Sequence, residues 1–247
     1  MSMMPSTVSR AARWIRALPV RGSGRFCPVC EAEAKVFLSF GSPPRPEAQC
    51  WRCHSLERQR FLWHFLMTRC LPNYSDDVTF LHIAPEACLA AGLRRRYPKG
   101  YVSADLLRDD VDVTLDITNS HFPDAEFDLI CCSHVLEHVD DDRAAIREIY
   151  RMLKPGGTAL LMVPITEDVT YEDPSVTSPE EREAKFGQSD HVRAYGRDFV
   201  ERVAAVAGEH LSVVSPQDIL DRAALLRMGI NELAGEIYVM RKPQAGD

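Results

Sequence analysis

Cys27-Pro28-Val29-Cys30 and Cys50-Trp51-Arg52-Cys53 are two Cys-x-x-Cys pairs separated by residues 31–49, a spacing that lets four thiols meet around one tetrahedral ion. A tight knuckle brings the two sulfurs of each pair to one point, and the intervening segment, turned near Pro43, Pro44 and Pro46, can fold back as a hairpin. Four thiolates leave no open position for water, so the expected Zn2+ is structural rather than catalytic. Two disulfides are the competing arrangement. No long apolar leader is read at the N-terminus, so a reducing, cytoplasmic setting is expected, and it favours metal. His54 is expected beside the site rather than in it. Cys70, Cys88, Cys131 and Cys132 lack ligand spacing and read as small buried hydrophobes.

A second set of groups suits proton transfer. His134, Glu137 and His138 fall at i, i+3 and i+4 and can share one face of a helical turn. Asp190, His191, Arg193 and Tyr195 cluster in the run Gly187 to Tyr195. His191 is the preferred general base, His134 is a second candidate, and Arg193 or Tyr195 is suited to orient an anionic or hydroxylated substrate. The plainer alternative is that Asp190 to Tyr195 docks its own segment by hydrogen bonds.

These groups need a scaffold, and 247 residues with 45% hydrophobic content can build one. The formal net charge of -7 argues against a surface that grips nucleic acid as a whole. No apolar run reaches the roughly 20 residues of a membrane-spanning helix. Arg10, Arg13, Arg16, Arg21 and Arg25, with no acid among them, form a basic segment over 1–25 that reads as a docking helix, with targeting, membrane or partner contact as the alternative. Residues 26–54 form the zinc ribbon, and 55–77 a connecting helix and linker. In that helix Leu62, Phe65 and Leu66 share a face and the arginines turn elsewhere.

From residue 78 to 247, short apolar runs alternate with helical patterns, the signature of an α/β domain with a sheet covered on both faces. Strands are expected at 78–84, 101–105, 111–117, 127–133 and 158–164, with a closing pair at 211–214 and 236–240. Helices are expected at 86–97, 141–153 and 197–207. The long polar segment 165–196 reads as a lid. Ligands of open sheets bind beyond the carboxyl ends of the strands. Here those ends carry His82, Ala84 and Glu86, then Asp105 and Leu106, then Asp116 and Ile117, then Ser133 and His134.

The block Phe127-Asp128-Leu129-Ile130 through Val135-Leu136-Glu137-His138-Val139, followed by Leu153-Lys154-Pro155-Gly156-Gly157, closely resembles the central block of class I S-adenosylmethionine (SAM)-dependent methyltransferases. With its CPVC knuckle, its Ser55-Leu56-Glu57-Arg58 helix start and its His82-to-Glu86 turn, the chain is similar to a bacterial subset of that family with an N-terminal zinc ribbon. The resemblance implies a Rossmann-like seven-stranded sheet ending in an antiparallel hairpin. It implies that Asp105 accepts hydrogen bonds from the ribose hydroxyls of SAM, that Asp116 receives the adenine amino group beside Ile117, and that Glu86 faces the ammonium.

The chain departs from the family at the first turn, where Ala84 and Pro85 stand in place of glycines. By resemblance to small-RNA 2′-O-methyltransferases and some quinone-pathway O-methyltransferases, His134, Glu137, His138 and His191 form a candidate Mg2+ site, although those families place a glutamate at the His134 position. The function expected is methyl transfer to an O or N atom of a small molecule. The alternatives are an RNA methyltransferase, supported by the basic arm, and a non-catalytic zinc-ribbon adaptor.

Overall fold

The computed structural model describes residues 20–244 and Gly246. The expected basic segment therefore lies mostly outside the described residues, with Arg21 and Arg25 inside them. The cysteine module consists of two short antiparallel pairs, β1 (Arg25–Cys27) with β2 (Ala32–Ala34) and β3 (Leu38–Phe40) with β4 (Arg45–Gln49). Its core is small: Phe37 packs with the cysteines themselves. Helix α1 (Glu57–Phe65) follows and runs on through a π turn at Leu66–Cys70 and a 3-10 turn at Leu71–Asn73 that carries Pro72. Leu62, Phe65 and Leu66 are buried as expected, but Arg60 is wholly buried too, so the reading that every arginine of this helix turns away is corrected.

All seven expected strands form one sheet. They are β5 (Phe80–Ile83), β6 (Tyr101–Asp105), β7 (Val113–Thr114), β8 (Phe127–Ser133), β9 (Leu153–Met162), β13 (Leu211–Val214) and β14 (Ile237–Arg241), in the order β13-β14-β9-β8-β5-β6-β7. β5 to β9 are parallel, and β14 runs antiparallel between β9 and β13. The strands are apolar on both faces because both are covered. Leu81, Ile83, Ile130, Cys132, Leu161 and Tyr238 pack on one side against α3 (Asp142–Met152) and α5 (Phe199–Ala207). Phe80, Leu129, Cys131, Leu160 and Val239 pack on the other side against α1 and α2 (Ala87–Arg96).

Local chemistry sets the ends of these elements. Asp141 caps α3, its Oδ1 accepting the N–H of Ala144 at 2.8 Å, and Ala145, Ile146, Ile149 and Met152 form the buried stripe below. The strand expected over 111–117 keeps two residues. Asp112 Oδ2 takes the Ser103 N–H (2.9 Å) and Arg94 (2.7 Å), so a side chain replaces the ladder at this sheet edge. The Leu153-to-Gly157 turn is continuous with β9, which starts earlier than the expected residue 158. Segment 165–196 carries structure of its own: β10 (Ile165–Glu167), β12 (Arg193–Gly196) and β11 (Tyr171–Glu172) pair in that order, and α4 (Pro179–Phe186) packs on them.

Candidate functional site

At the carboxyl edge, Ala84 ends β5 with φ +47. The turn thus takes the left-handed conformation that glycine usually supplies, and an alanine bears the strain. Pro85 then leads into α2, with Glu86 at the N-cap position. His82 is buried inside the sheet, Nδ1 2.9 Å from Tyr101 Oη and Nε2 2.9 Å from Glu86 Oε2. Burial is the largest influence on Glu86 and opposes its charge, but the bond from His82, the attraction of that ring and the smaller bonds around it together keep the carboxyl below its ordinary range. Ser133 Oγ, at the end of β8, is buried without a hydrogen-bond partner.

Asp105 and Asp116 each use one oxygen to close a turn. Asp105 Oδ1 accepts the N–H groups of Leu107 (2.8 Å) and Arg108 (3.1 Å). Asp116 Oδ1 accepts the N–H and hydroxyl of Thr118 at 2.8 and 2.7 Å, and those bonds hold its carboxyl below its ordinary range. Among the described residues Oδ2 of each takes no bond. One free carboxylate oxygen per acid, an orphaned Ser133 Oγ and a left-handed turn after β5 fit a cofactor that presents hydroxyl, amino and ammonium donors. Leu106 is exposed whereas Ile117 is buried, so Leu106 is the better placed to cover a flat ring. Sequence reasoning missed Arg108, whose Nη1 donates to Pro85 O at 2.7 Å and ties the turn after β5 to the turn after β6.

His134 also lies at positive φ, +56, and its Nδ1 is 3.1 Å from Glu137 Oε1. Glu137 and His138 sit in the 3-10 turn Leu136–His138 and meet His191, the three offering ligand atoms within 4.8 Å of one another. His134 stands outside that group. Glu137 Oε2 and His191 Nε2 are both buried and unpartnered, and His191 Nδ1 donates to Phe186 O at 3.2 Å. Burial pulls the His191 pKa down against the nearby Glu137 carboxylate, keeping the ring neutral. Two imidazoles and one carboxylate do not fit the expected magnesium, which favours oxygen ligands in a near-octahedral, partly hydrated shell.

Arg193 and Tyr195 are turned inward. Arg193 donates to the carbonyls of Leu136, Val139 and Asp140 and to Glu172 Oε2. Tyr195 Oη, wholly buried, donates to Asp142 Oδ2 at 2.7 Å, and Arg202 closes the network on Asp142 and Glu172. Burial raises the Tyr195 phenol far above neutral pH. Both side chains thus fasten β11 and β12 to the 3-10 turn and α3, which is the docking alternative; the substrate-orienting role read from the sequence does not suit this placement.

The residues that form a cavity come from elsewhere. A space of about 630 Å³ opens at the carboxyl edge beyond β9 and β14, with His134, Ile165, Arg197, Glu232, Glu236 and Tyr238 in its lining. It is mixed in character, with apolar walls and both signs of charge. Of the proposed proton-transfer groups, His134 lines it and His191 does not.

The four thiols converge as their spacing requires. Cys27 and Cys53 Sγ are 3.5 Å apart, Cys30 and Cys50 Sγ 3.7 Å, and all four lie within 4.8 Å of one another. These gaps are too long for a disulfide bond of about 2.05 Å and close to the edge of about 3.8 Å that a tetrahedron with Zn–S near 2.3 Å demands. The knuckles are alike: Glu31 N donates to Cys27 O and His54 N to Cys50 O, each residue at left-handed φ. His54 lies outside the ligand group. Cys70, Cys131 and Cys132 are buried in the sheet domain, and burial pushes the Cys70 thiol up to about 12.

A seven-stranded sheet, parallel except for β14, with helices on both faces defines a Rossmann-like domain of the α/β class. Residues 66–161 match the family described as a methyltransferase domain. Among curated proteins the chain is similar to ajmaline N-methyltransferase of Rauvolfia serpentina, 28% identical over 111 residues that cover 44% of this chain and 36% of that protein. It is also similar to a ubiquinone/menaquinone biosynthesis C-methyltransferase of Xanthomonas oryzae, 51% identical over 41 residues covering 17% of this chain and 16% of that one. The matched segments thus span about a third or less of these relatives. Solved structures with similarity include phosphoethanolamine N-methyltransferase 2 of Haemonchus contortus (18% identity, TM-score 0.48, 72% of this chain and 52% of that one). Another is a SAM-dependent methyltransferase of Archaeoglobus fulgidus (13%, TM-score 0.45, 75% and 96%).

Proposed function

We propose that the protein transfers a methyl group from SAM to an O or N nucleophile of a small molecule, with Cys27, Cys30, Cys50 and Cys53 holding a structural zinc ion. The observation that carries this reading is the cavity beside His134, which opens on the same carboxyl edge of the sheet as the turns that carry Glu86, Asp105 and Asp116. SAM, when bound, supplies an activated methyl group on a sulfonium; the protein's task is to position the acceptor and exclude water.

Asp105 and Asp116 receive the donors of the ribose and the adenine, and Glu86 balances the ammonium. His134 acts at the acceptor. Glu137 Oε1, 3.1 Å from its Nδ1, favours a proton on that nitrogen, which leaves Nε2 with the lone pair that can take a proton from the nucleophile. Relatives named for ajmaline and for ubiquinone/menaquinone biosynthesis support a small acceptor. Among the described residues no helix is long and apolar enough to cross a membrane, and the thiolate site suits a reducing cytoplasm.

A second reading, methyl transfer to RNA, rests on a groove between the cysteine module and α2 that is lined by His64, Arg52, Arg95 and Arg96. Transfer of labelled methyl from SAM decides between them. Product among small amines and phenols, abolished in His134→Ala, supports the first reading. Product only on RNA, with retention that weakens steeply as salt rises, supports the second. Binding of neither SAM nor its demethylated product supports an adaptor instead.

A further inference from the structure

The segment that walls the acceptor cavity begins on the cysteine module. In helix α6 (Arg222–Met228), Arg227 Nη2 reaches Glu33 Oε1 at 3.1 Å, and its guanidinium lies over the Phe26 ring. One residue on, Arg60 takes over. Wholly buried, it donates to Ala48 O (2.9 Å) and Ser55 O (2.6 Å) on the module side, and to Met228 O (2.7 Å) and Gly229 O (2.6 Å) on the other. Its guanidinium also covers the Phe37 ring at 4.2 Å. Gly229 has φ +58, and a Cβ there would come within 2.5 Å of Phe37 Cδ2. Ile230 and Ala234 then sink into the core that α1 shares, and residues 232–236 turn out to line the cavity.

The hydrogen bonds of Arg60 all go to four carbonyls, and the carboxylate near it is that of buried Glu57. A buried cation without a counter-charge is costly. Burial works against this one, and the Cys27 sulfur, the Glu57 carboxylate and the Cys50 and Cys53 sulfurs favour it. Four thiolates around one divalent ion carry a net charge of about -2, so the loaded knuckles add to Glu57 a counter-charge for the arginine. Ser55 links the two further, its Oγ lying 3.2 Å from both Cys27 and Cys53 Sγ while its carbonyl accepts from Arg60.

We infer that Arg60 is a positioning residue through which the zinc-loaded cysteine module sets segment 228–236, of which residues 232–236 wall the acceptor cavity. This rests on the proposed readings of the cavity and of the zinc site. The module then has a role beyond its own folding: it shapes the pocket on the β14 side of the sheet.

The test is hydrogen–deuterium exchange on the full, zinc-loaded chain, wild type against Arg60→Lys, with zinc content and affinity for S-adenosylhomocysteine (SAH) measured on the same samples. A lysine keeps the charge but cannot fork to carbonyls on two sides. The variant is expected to retain one zinc per chain and bind SAH within about twofold of wild type, while peptides covering 228–236 exchange at least about tenfold faster and β6 and β8 stay unchanged. Unchanged exchange over 228–236, or acceleration spread evenly through β5 to β9, overturns the inference.

Coupling must also act in reverse. Gly229→Ala, which presses on Phe37, is expected to speed zinc loss to a chelator several-fold, and an unaltered rate overturns the inference where Arg60→Lys fails to fold. Failure of wild type to bind SAH would sink the methyltransferase reading alone, because the exchange comparison needs no cofactor.

Discussion

Glu86 Oε2 lies 2.9 Å from His82 Nε2, and the far nitrogen of the same imidazole meets Tyr101 Oη, so the acid at the turn after β5 is anchored from inside the sheet. A carboxylate held this way contributes stability above its unfolded pKa of about 4.3, and that contribution is lost as pH falls through the lower folded value. The stability gap between wild type and Glu86→Gln should therefore be largest near neutrality and close below about pH 4. Urea titrations at several pH values check it; a gap that widens in acid would contradict the anchoring. The same substitution should weaken SAH binding about tenfold or more, the scale of one charge-assisted hydrogen bond.

Ala84 holds a conformation that costs an L-residue roughly 1–2 kcal/mol. Ala84→Gly relieves that cost but adds about 0.5–1 kcal/mol of backbone entropy. A net rise in Tm of about 1–4 °C is expected, with SAH affinity little changed. A fall in Tm would show that the alanine methyl group packs more usefully than its backbone strains.

Metal analysis should return one zinc per chain. Cys50→Ser should lose the ion and unfold the module at a lower temperature than the sheet domain, since a thiolate site of this kind holds its fold through the metal. Purified protein with no zinc and with these four cysteines paired as disulfides would overturn the assignment.

His191 is kept neutral, chiefly by burial, with the His138 ring 4.7 Å away also opposing its charge and Glu137 favouring it. Its folded pKa lies below the unfolded value of about 6.5, so the unfolded chain binds more protons and stability falls as pH drops below that value. Between pH 7 and pH 5, wild type should lose more stability than His191→Gln. Equal losses would remove His191 as the source of the pH dependence.

The inner strands were legible because they are buried on both faces and carry unbroken apolar runs, as Phe127 to Ser133 does; the half-exposed edge strand Leu211 to Val214 also lies where the sequence predicts it. The edge strand β7 was overdrawn because Asp112 spends its side chain on the ladder of its neighbour. The lid hid its strands because Glu172, Arg193 and Tyr195 are polar yet packed in one ion network with Asp142 and Arg202. In the site, the carboxylates at strand ends and the four cysteines could be read from position and spacing. The cavity could not: His134, Arg197, Glu232 and Tyr238 are far apart in sequence and share no motif. Nor could the burial of Arg60, since an arginine in an amphipathic helix ordinarily faces solvent and only its four carbonyl partners reveal otherwise.

Calorimetric titration of SAH into wild type and Asp105→Asn tests the central claim most directly. The asparagine keeps an oxygen to cap the Leu107 and Arg108 N–H groups but presents an amide where Oδ2 would accept from the cofactor. One SAH per wild-type chain is expected, with affinity at least about tenfold weaker in the variant and no change in zinc content. No binding of SAM or SAH to wild type, or equal binding by both proteins, would contradict a cofactor site at the ends of β5 and β6.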